Sequence, residues 1–162
     1  MKKLLPIAGS DSSGGAGIQA DLKTFAALGT YGMSCICALT AQNTKGVSMV
    51  VNTPISLVKA QLETIYDDVA PDAVKTGMLG TAAIVDTVSD FLGNHRSAPL
   101  IVDPVMVATS GDKLLEDDAI ALYKEKLIPL AALITPNIPE AEVLSGISIT
   151  SEQDRRKAAE IL

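Results

Sequence analysis

Five short stretches of this chain hold the side chains that could do chemistry, and each stands where an apolar run gives out. The first, Gly9–Gly17 (GSDSSGGAG), sets four glycines, Asp11 and three serines directly after the run Leu4–Ala8. Glycines let the backbone approach a ligand closely, and free amides at a helix start favour an anion or a polar ring atom. A tight strand-to-helix turn is the plainer reading of the same residues. The loop is not a Walker A motif, because no Gly-Lys-Ser/Thr follows. Nor is it a clean GxGxxG fingerprint, its glycines being Gly9, Gly14, Gly15 and Gly17. The second stretch, Ala41-Gln42-Asn43, ends the run Met33–Ala41; the carboxamide of Gln42 can offer a donor and an acceptor to the edge of a heterocycle, or simply face water. In the third, Lys75-Thr76-Gly77-Met78, Gly77 permits close approach, while Met78 can pack on a flat ring or in the core.

The last two stretches carry acids. Asp103 lies in Val102-Asp103-Pro104-Val105-Met106, and an acid inside an apolar run is costly unless it is paired or faces a cation. Pro104 cannot continue a central strand's ladder, so Asp103 belongs at a strand end. There it is either a structural acid bonded to a neighbouring loop or a group awaiting a cation. In Thr135-Pro136-Asn137-Ile138-Pro139-Glu140, Pro139 suits the first turn of a helix, with Asn137 just before it and Glu140 inside it. Glu140 would complement the helix dipole in any case. Two isolated carboxylates on neighbouring strand ends with an amide between them also match Mg²⁺, which takes few protein oxygens and keeps water and phosphate for the rest. The single histidine, His95, follows Gly93-Asn94 and reads as a surface residue, leaving no parts for a Ser–His or His–metal scheme.

Such residues need elements to hold them, and strand-like and helix-like segments alternate along the chain. After the glycine loop, Ile18, Leu22, Phe25 and Leu28 fall at helical spacing up to Gly29. Thr53-Pro54 opens a helix with Val58, Leu62 and Ile65 on one face. Ala73–Leu79 reads as a strand, and Thr81 caps a helix carrying Ile84, Val85, Val88, Phe91 and Leu92. Leu100–Val107 reads as a buried strand, Glu116–Lys126 as an amphipathic helix, Ala131–Thr135 as a short strand and Pro139–Leu144 as a helix stopped by Gly146. Ser151 and Asp154 form a loose capping box before Ala158, Ile161 and Leu162. Strands apolar on both faces, separated by helices, predict one α/β domain with a mostly parallel sheet and helices on both faces. A helix that ends on an apolar stripe without a stop makes the domain look truncated at its C-terminus.

Composition bounds what such a domain can do. Of 162 residues, 48% are hydrophobic and 20% charged, a globular balance. The net charge of −6 supplies no basic field for nucleic acid or an anionic membrane surface. Aromatics make up only 3% and Trp is absent, so the core must be aliphatic. Cys35 and Cys37, two apart in an apolar run, share one strand face and read as buried reduced thiols. The start MKKLLPIAG breaks at Pro6, too early for a signal-peptide core, and no stretch reaches the ~20 apolar residues of a membrane span. A soluble, cytoplasmic protein is expected.

Taken in order, AGSDSSGGAGIQADLKTFAALGTYGMS, ALTAQNTKGV, DAVKTGMLG, VDPVMVATSGDKLL and LITPNIPEAEVLSG resemble the ribokinase-like family of vitamin and sugar kinases. They resemble most its branch acting on hydroxymethylpyrimidine and its monophosphate in thiamine biosynthesis. The resemblance implies transfer of the γ-phosphoryl group of MgATP to 4-amino-5-hydroxymethyl-2-methylpyrimidine, then to the monophosphate. It implies that Gly9, Ala16, Asp21, Gln42, Met78 and Val105 line the pyrimidine pocket, and that Asp103, Asn137 and Glu140 organise Mg²⁺ and the phosphates of ATP. Asn137 and Glu140 stand for the family's NxxE motif. It also implies a homodimer or other self-association. Nothing matches the family's second glycine-rich turn, with its anion hole and catalytic Cys or Asp, so no catalytic residue is assigned in this chain. By itself the chain is expected to bind the pyrimidine poorly and not to turn over. Two alternatives stand beside this one: a pyridoxal or pyridoxine kinase of the same family, which usually lacks the Gln at the strand end, and a non-catalytic ligand-binding fragment.

Overall fold

Across the described residues, alternating apolar runs and amphipathic stretches fold into a seven-stranded sheet with helices packed on it. The computed structural model describes residues 1–106 and 117–162. Val107 at the end of the run Leu100–Val107, residues 107–115 of the stretch VDPVMVATSGDKLL, and the expected helix start at Glu116 lie outside the described residues. The strands are β1 (Lys3–Gly9), β2 (Tyr31–Gly32), β3 (Cys35–Asn43), β4 (Gly46–Asn52), β5 (Ala73–Thr76), β6 (Leu100–Val102) and β7 (Leu133–Ile134). The helices are α1 (Gly17–Ala27), α2 (Ile55–Asp68), α3 (Ala82–Asn94), α4 (Asp117–Leu122), α5 (Ile138–Ser145) and α6 (Glu152–Ile161). Sheet order is β4-β3-β1-β5-β6-β7, with β2 a short addition paired to β1. Every pairing is parallel except β3 with β4.

Strand alternation sorts the core. Leu5 and Ile7 of β1, Cys35 and Cys37 of β3, Val74 of β5, and Leu100 and Val102 of β6 join one buried cluster with Val58 and Leu62 of α2 and Ile84, Val85, Val88 and Leu92 of α3. Each fully buried aliphatic side chain contributes on the order of 2 kcal/mol. Both thiols are free and buried, as their spacing predicts. Helix α1 packs on β1 and β2; its buried Ile18 and the strand's Ala8 lie outside that cluster, so helices cover both faces.

Three differences from the sequence reading have physical causes. Ala73–Leu79 and Leu100–Val107 are shorter as strands, because Gly77 leaves the ladder after β5 and Pro104 has no N–H to extend β6. Helix α4 runs on through a π-helical turn (Tyr123–Leu127) and a 3₁₀ turn (Ile128–Leu130) that contains Pro129, whose missing N–H cannot continue the helical bonds. Strand β4 has no counterpart in the sequence pattern: Asn43 Oδ1 accepts from Lys45 N–H at 2.8 Å, turning the chain back so that Gly46–Asn52 pairs antiparallel with β3. This hairpin leaves Leu39, Met49, Val50 and Val51 exposed, so the sheet is not covered at that edge.

Candidate active site

Parallel strands deliver their carboxyl ends to one rim of the sheet, where ligands commonly bind in such folds. At the end of β1 the glycine loop is organised by Asp11, a carboxylate only 3% exposed. Its Oδ1 accepts from Ser13 N–H and Ser13 Oγ, both at 2.8 Å, and its Oδ2 accepts from Gly15 N–H at 3.0 Å and Ala16 N–H at 2.8 Å. Burial alone would raise its pKa, but these hydrogen bonds hold it below the ordinary Asp value. The Gly15 and Ala16 amides, in the loop that leads into α1, are therefore given to the chain's own carboxylate and not to an incoming phosphate. Gln19 completes the frame, accepting from Asp11 N–H at 2.8 Å and donating to Ser10 Oγ at 2.9 Å.

Two glycines sit at close approaches here, one against backbone and one against a flexible side chain. Gly17 has φ +56°, and a Cβ on it would collide with the Gly9 carbonyl oxygen. A Cβ on Gly9 would meet Met78 Cε at 2.5 Å, while Gly9 N–H donates to the Met78 carbonyl at 2.9 Å. The loop and the end of β5 thus lie against each other. On the other side Ser12 Oγ accepts from Gln42 N–H and donates to the Gln42 carbonyl, both at 2.8 Å. Thr40 Oγ1 donates to the Ser10 carbonyl at 2.7 Å and stands 3.2 Å from Gln42 Oε1.

The result is a pocket of about 380 Å³ whose lining includes Gly9, Ala16, Asp21, Gln42, Met78 and Val105. The six residues expected to line a pyrimidine pocket thus share one cavity. Lys75 and Asp103 line it too. Lys75 Nζ lies 3.3 Å from Asp21 Oδ1 and 3.3 Å from Asp103 Oδ2. Burial pushes the Asp21 carboxyl up, Lys75 pulls it back down, and Asp103 adds a further push upward. Beneath the pocket, Tyr123 is fully buried and donates from its hydroxyl to the Gly77 carbonyl at 3.2 Å. Sequence reasoning missed the parts of Lys75, Thr40 and Tyr123; Lys75 could have been flagged as a lone cation beside Gly77 at a strand end.

Asn137 and Glu140 sit elsewhere on the rim, beyond β7. They form a reciprocal cap on α5: Asn137 Oδ1 accepts from Glu140 N–H and Glu140 Oε2 accepts from Asn137 N–H, each at 2.9 Å. Glu140 is 5% exposed, and its Oε1 takes a longer bond of 3.4 Å from Met106 N–H. Burial raises its carboxyl pKa above the ordinary value, and the charge of Asp103 adds to that. Asn137 lines a separate apolar groove of about 500 Å³ beside β7, α5 and α6, not the glycine-loop pocket. Among the described residues no group of three or more His, Cys, Asp or Glu could hold a metal by itself. His95 is on the surface, stacked on Phe91 at 4.1 Å. Among the described residues no helix is long and apolar enough to cross a membrane.

A family model described as phosphomethylpyrimidine kinase matches residues 11–162. The chain is 51% identical over 160 residues to a hydroxymethylpyrimidine/phosphomethylpyrimidine kinase of Bacillus subtilis, a match covering 99% of this chain and 59% of that protein. The crystal structure of phosphomethylpyrimidine kinase from Clostridium difficile superposes with a TM-score of 0.93 at 50% identity, covering 99% of this chain and 70% of that one. An ADP complex of Bacillus subtilis pyridoxal kinase gives a TM-score of 0.88 at 38% identity, covering 99% of this chain and 60% of that one. The fold is that of the ribokinase-like vitamin kinases, and the chain spans about 59% of the length of the curated Bacillus relative.

Proposed function

The chain belongs to the phosphomethylpyrimidine kinase family, and from that premise we propose that it forms the substrate side of an ATP-dependent kinase acting on 4-amino-5-hydroxymethyl-2-methylpyrimidine and its monophosphate in thiamine biosynthesis. The observation that carries the reading is the convergence of Gly9, Ala16, Asp21, Gln42, Met78 and Val105 on one pocket. Met78 and Val105 supply apolar surface for a flat ring, and the Gln42 carboxamide supplies a donor and an acceptor for ring and amino nitrogens. Asp11, by occupying the amides of its own loop, makes that loop a rigid wall for a neutral ring.

The phosphates of ATP belong, on this reading, with Asp103, Asn137 and Glu140. Both Glu140 oxygens already serve backbone amides, and Asp103 and Glu140 repel one another. That donor set suits Mg²⁺ that keeps most of its water and phosphate ligands, with the protein supplying charge and few oxygens. Magnesium, when bound, would neutralise charge developing on the transferred phosphoryl group. The residues of this chain contribute positioning: they hold the ring and keep two carboxylates at one rim.

Cys35 and Cys37 lie buried in the core, so neither is a candidate nucleophile or anion-hole residue. The chain is a single, incomplete ribokinase-like domain on this proposal, binding the pyrimidine weakly and not turning it over by itself. A cytoplasmic setting and self-association belong to the same reading. The latter is supported by Leu39, Met49 and Val51, exposed on one face of the β3–β4 hairpin.

NMR titration of the protein with the pyrimidine alcohol tests the reading. Shifts centred on Gly9, Ala16, Gln42 and Met78 are expected, and absence of shifts there would overturn it. Pyridoxal in a parallel titration tests the second reading, which the 0.88 TM-score to a pyridoxal kinase favours and the carboxamide of Gln42 disfavours. An ATP-consumption assay of the chain beside the Bacillus relative separates binding from turnover.

A further inference from the structure

The pocket's charge balance turns on one side chain. Among its lining residues Asp11, Asp21 and Asp103 are acids, and Lys75 is the sole cation. Asp11 is spoken for by loop amides, which leaves Asp21 and Asp103 facing each other across the Lys75 ammonium. That ammonium is loosely held. It makes one long hydrogen bond, to Asp21 Oδ2 at 3.4 Å, and stands 3.3 Å from both Asp21 Oδ1 and Asp103 Oδ2, with no contact shorter than these. Its side chain keeps 29% of its surface exposed. An ammonium has three donors on a flexible stem, so an incoming anion can recruit it without dismantling the site.

We infer that Lys75 sets the pocket's acceptance of a substrate that already carries a phosphate, the cation that makes a phosphomonoester admissible beside Asp21 and Asp103. This rests on the pyrimidine kinase reading above and deepens it. A neutral hydroxymethyl compound entering the pocket meets no net repulsion. Its monophosphate brings a charge of about −1.5 to −2 near neutral pH into a cavity whose other free charges are carboxylates. Only Lys75 can answer it among the pocket's lining residues. Lys75 is accordingly a specificity-determining residue between the first and second phosphorylation, while Gln42, Met78 and Val105 treat both substrates alike through the shared ring.

NMR titrations of wild type, K75M and K75R with the alcohol and with its monophosphate decide it. K75M is expected to weaken the monophosphate about tenfold more than the alcohol, and K75R to bring that ratio back to within about threefold of wild type. Equal loss for both ligands in K75M, or loss for neither, overturns the inference while leaving the functional reading intact. If wild type binds neither ligand, the functional reading falls and this inference falls with it. Should K75M fail to fold, the wild-type affinity ratio between about 0.02 and 0.5 M salt decides instead: a monophosphate preference that drops about threefold or more supports the cation, and a constant ratio overturns it.

Discussion

Among the described residues, two buried carboxylates organise the chain at the carboxyl rim of the sheet, Asp11 in the loop that leads into α1 and Glu140 in the first turn of α5, and the two are held in opposite electrostatic states. At α1, Asp11 collects four hydrogen bonds from Ser13, Gly15 and Ala16, and its pKa is held below the ordinary value. At α5, Glu140 is nearly as buried but has one good bond, from Asn137 N–H, and a long one from Met106 N–H. Burial and Asp103 keep its pKa above the ordinary value. The first is a finished structural anion; the second is a carboxylate still short of positive charge. A helix N-terminus alone therefore does not say where phosphate goes. What distinguishes the two is how completely the chain has satisfied its own acid, and only the undersatisfied one stands where a cation would relieve it.

Four substitutions break or sharpen this contrast, in descending size. Gly17→Ala puts a Cβ against the Gly9 carbonyl at a positive φ and is expected to cost about 3 kcal/mol in urea unfolding, through strain plus overlap. Asp11→Asn leaves the Gly15 and Ala16 amides with a neutral, poorer acceptor and is expected to cost about 2 kcal/mol at pH 7. Because the folded-state pKa of Asp11 lies below its ordinary value of 3.8, its contribution is complete above that value and is lost as pH falls through the folded pKa. The wild-type advantage over the variant should therefore shrink below about pH 4. Asn137→Ala removes the cap of α5 and is expected to cost about 1 kcal/mol, with pyrimidine-induced shifts in the glycine loop unaltered. Glu140→Gln should cost least, about 0.5 kcal/mol at pH 7, because burial and the charge of Asp103 already work against the ionised carboxylate in the folded state. The sign is opposite to Asp11: a raised pKa makes ionised Glu140 a net cost as pH rises through the folded value. A Glu140→Gln loss as large as that of Asp11→Asn would erase the contrast.

Much of this was legible in the sequence, and the unread parts share a cause. The runs around Ile7, Val74 and Val102 announced parallel strands because both their faces are apolar, and Pro104 marked the strand end that presents Asp103. The capping box of Ser151 and Asp154 was readable because it closes over three residues; for Asn137 and Glu140 the sequence reading placed both at a helix start without pairing them. Lys75, by contrast, meets Asp21 across 54 positions, and Tyr123 reaches Gly77 across 46. Neither contact leaves a local signature. Strand β4 escaped because Gly46–Asn52 is nearly all exposed, so it lacks the alternation a half-buried strand would show. The glycine loop showed its flexibility in sequence but not its occupant; that Asp11 fills the amides depends on a fold of the loop back on itself.

The paired bonds between Ser12 and the main chain of Gln42 carry a consequence for anyone moving this pocket to another scaffold. Because they join main chain to side chain, Gln42 can change identity without loosening them, whereas Ser12 cannot. The hairpin tip and the glycine loop therefore form one transplantable cassette, whose spacing must be copied whole while its recognition residue stays open to redesign.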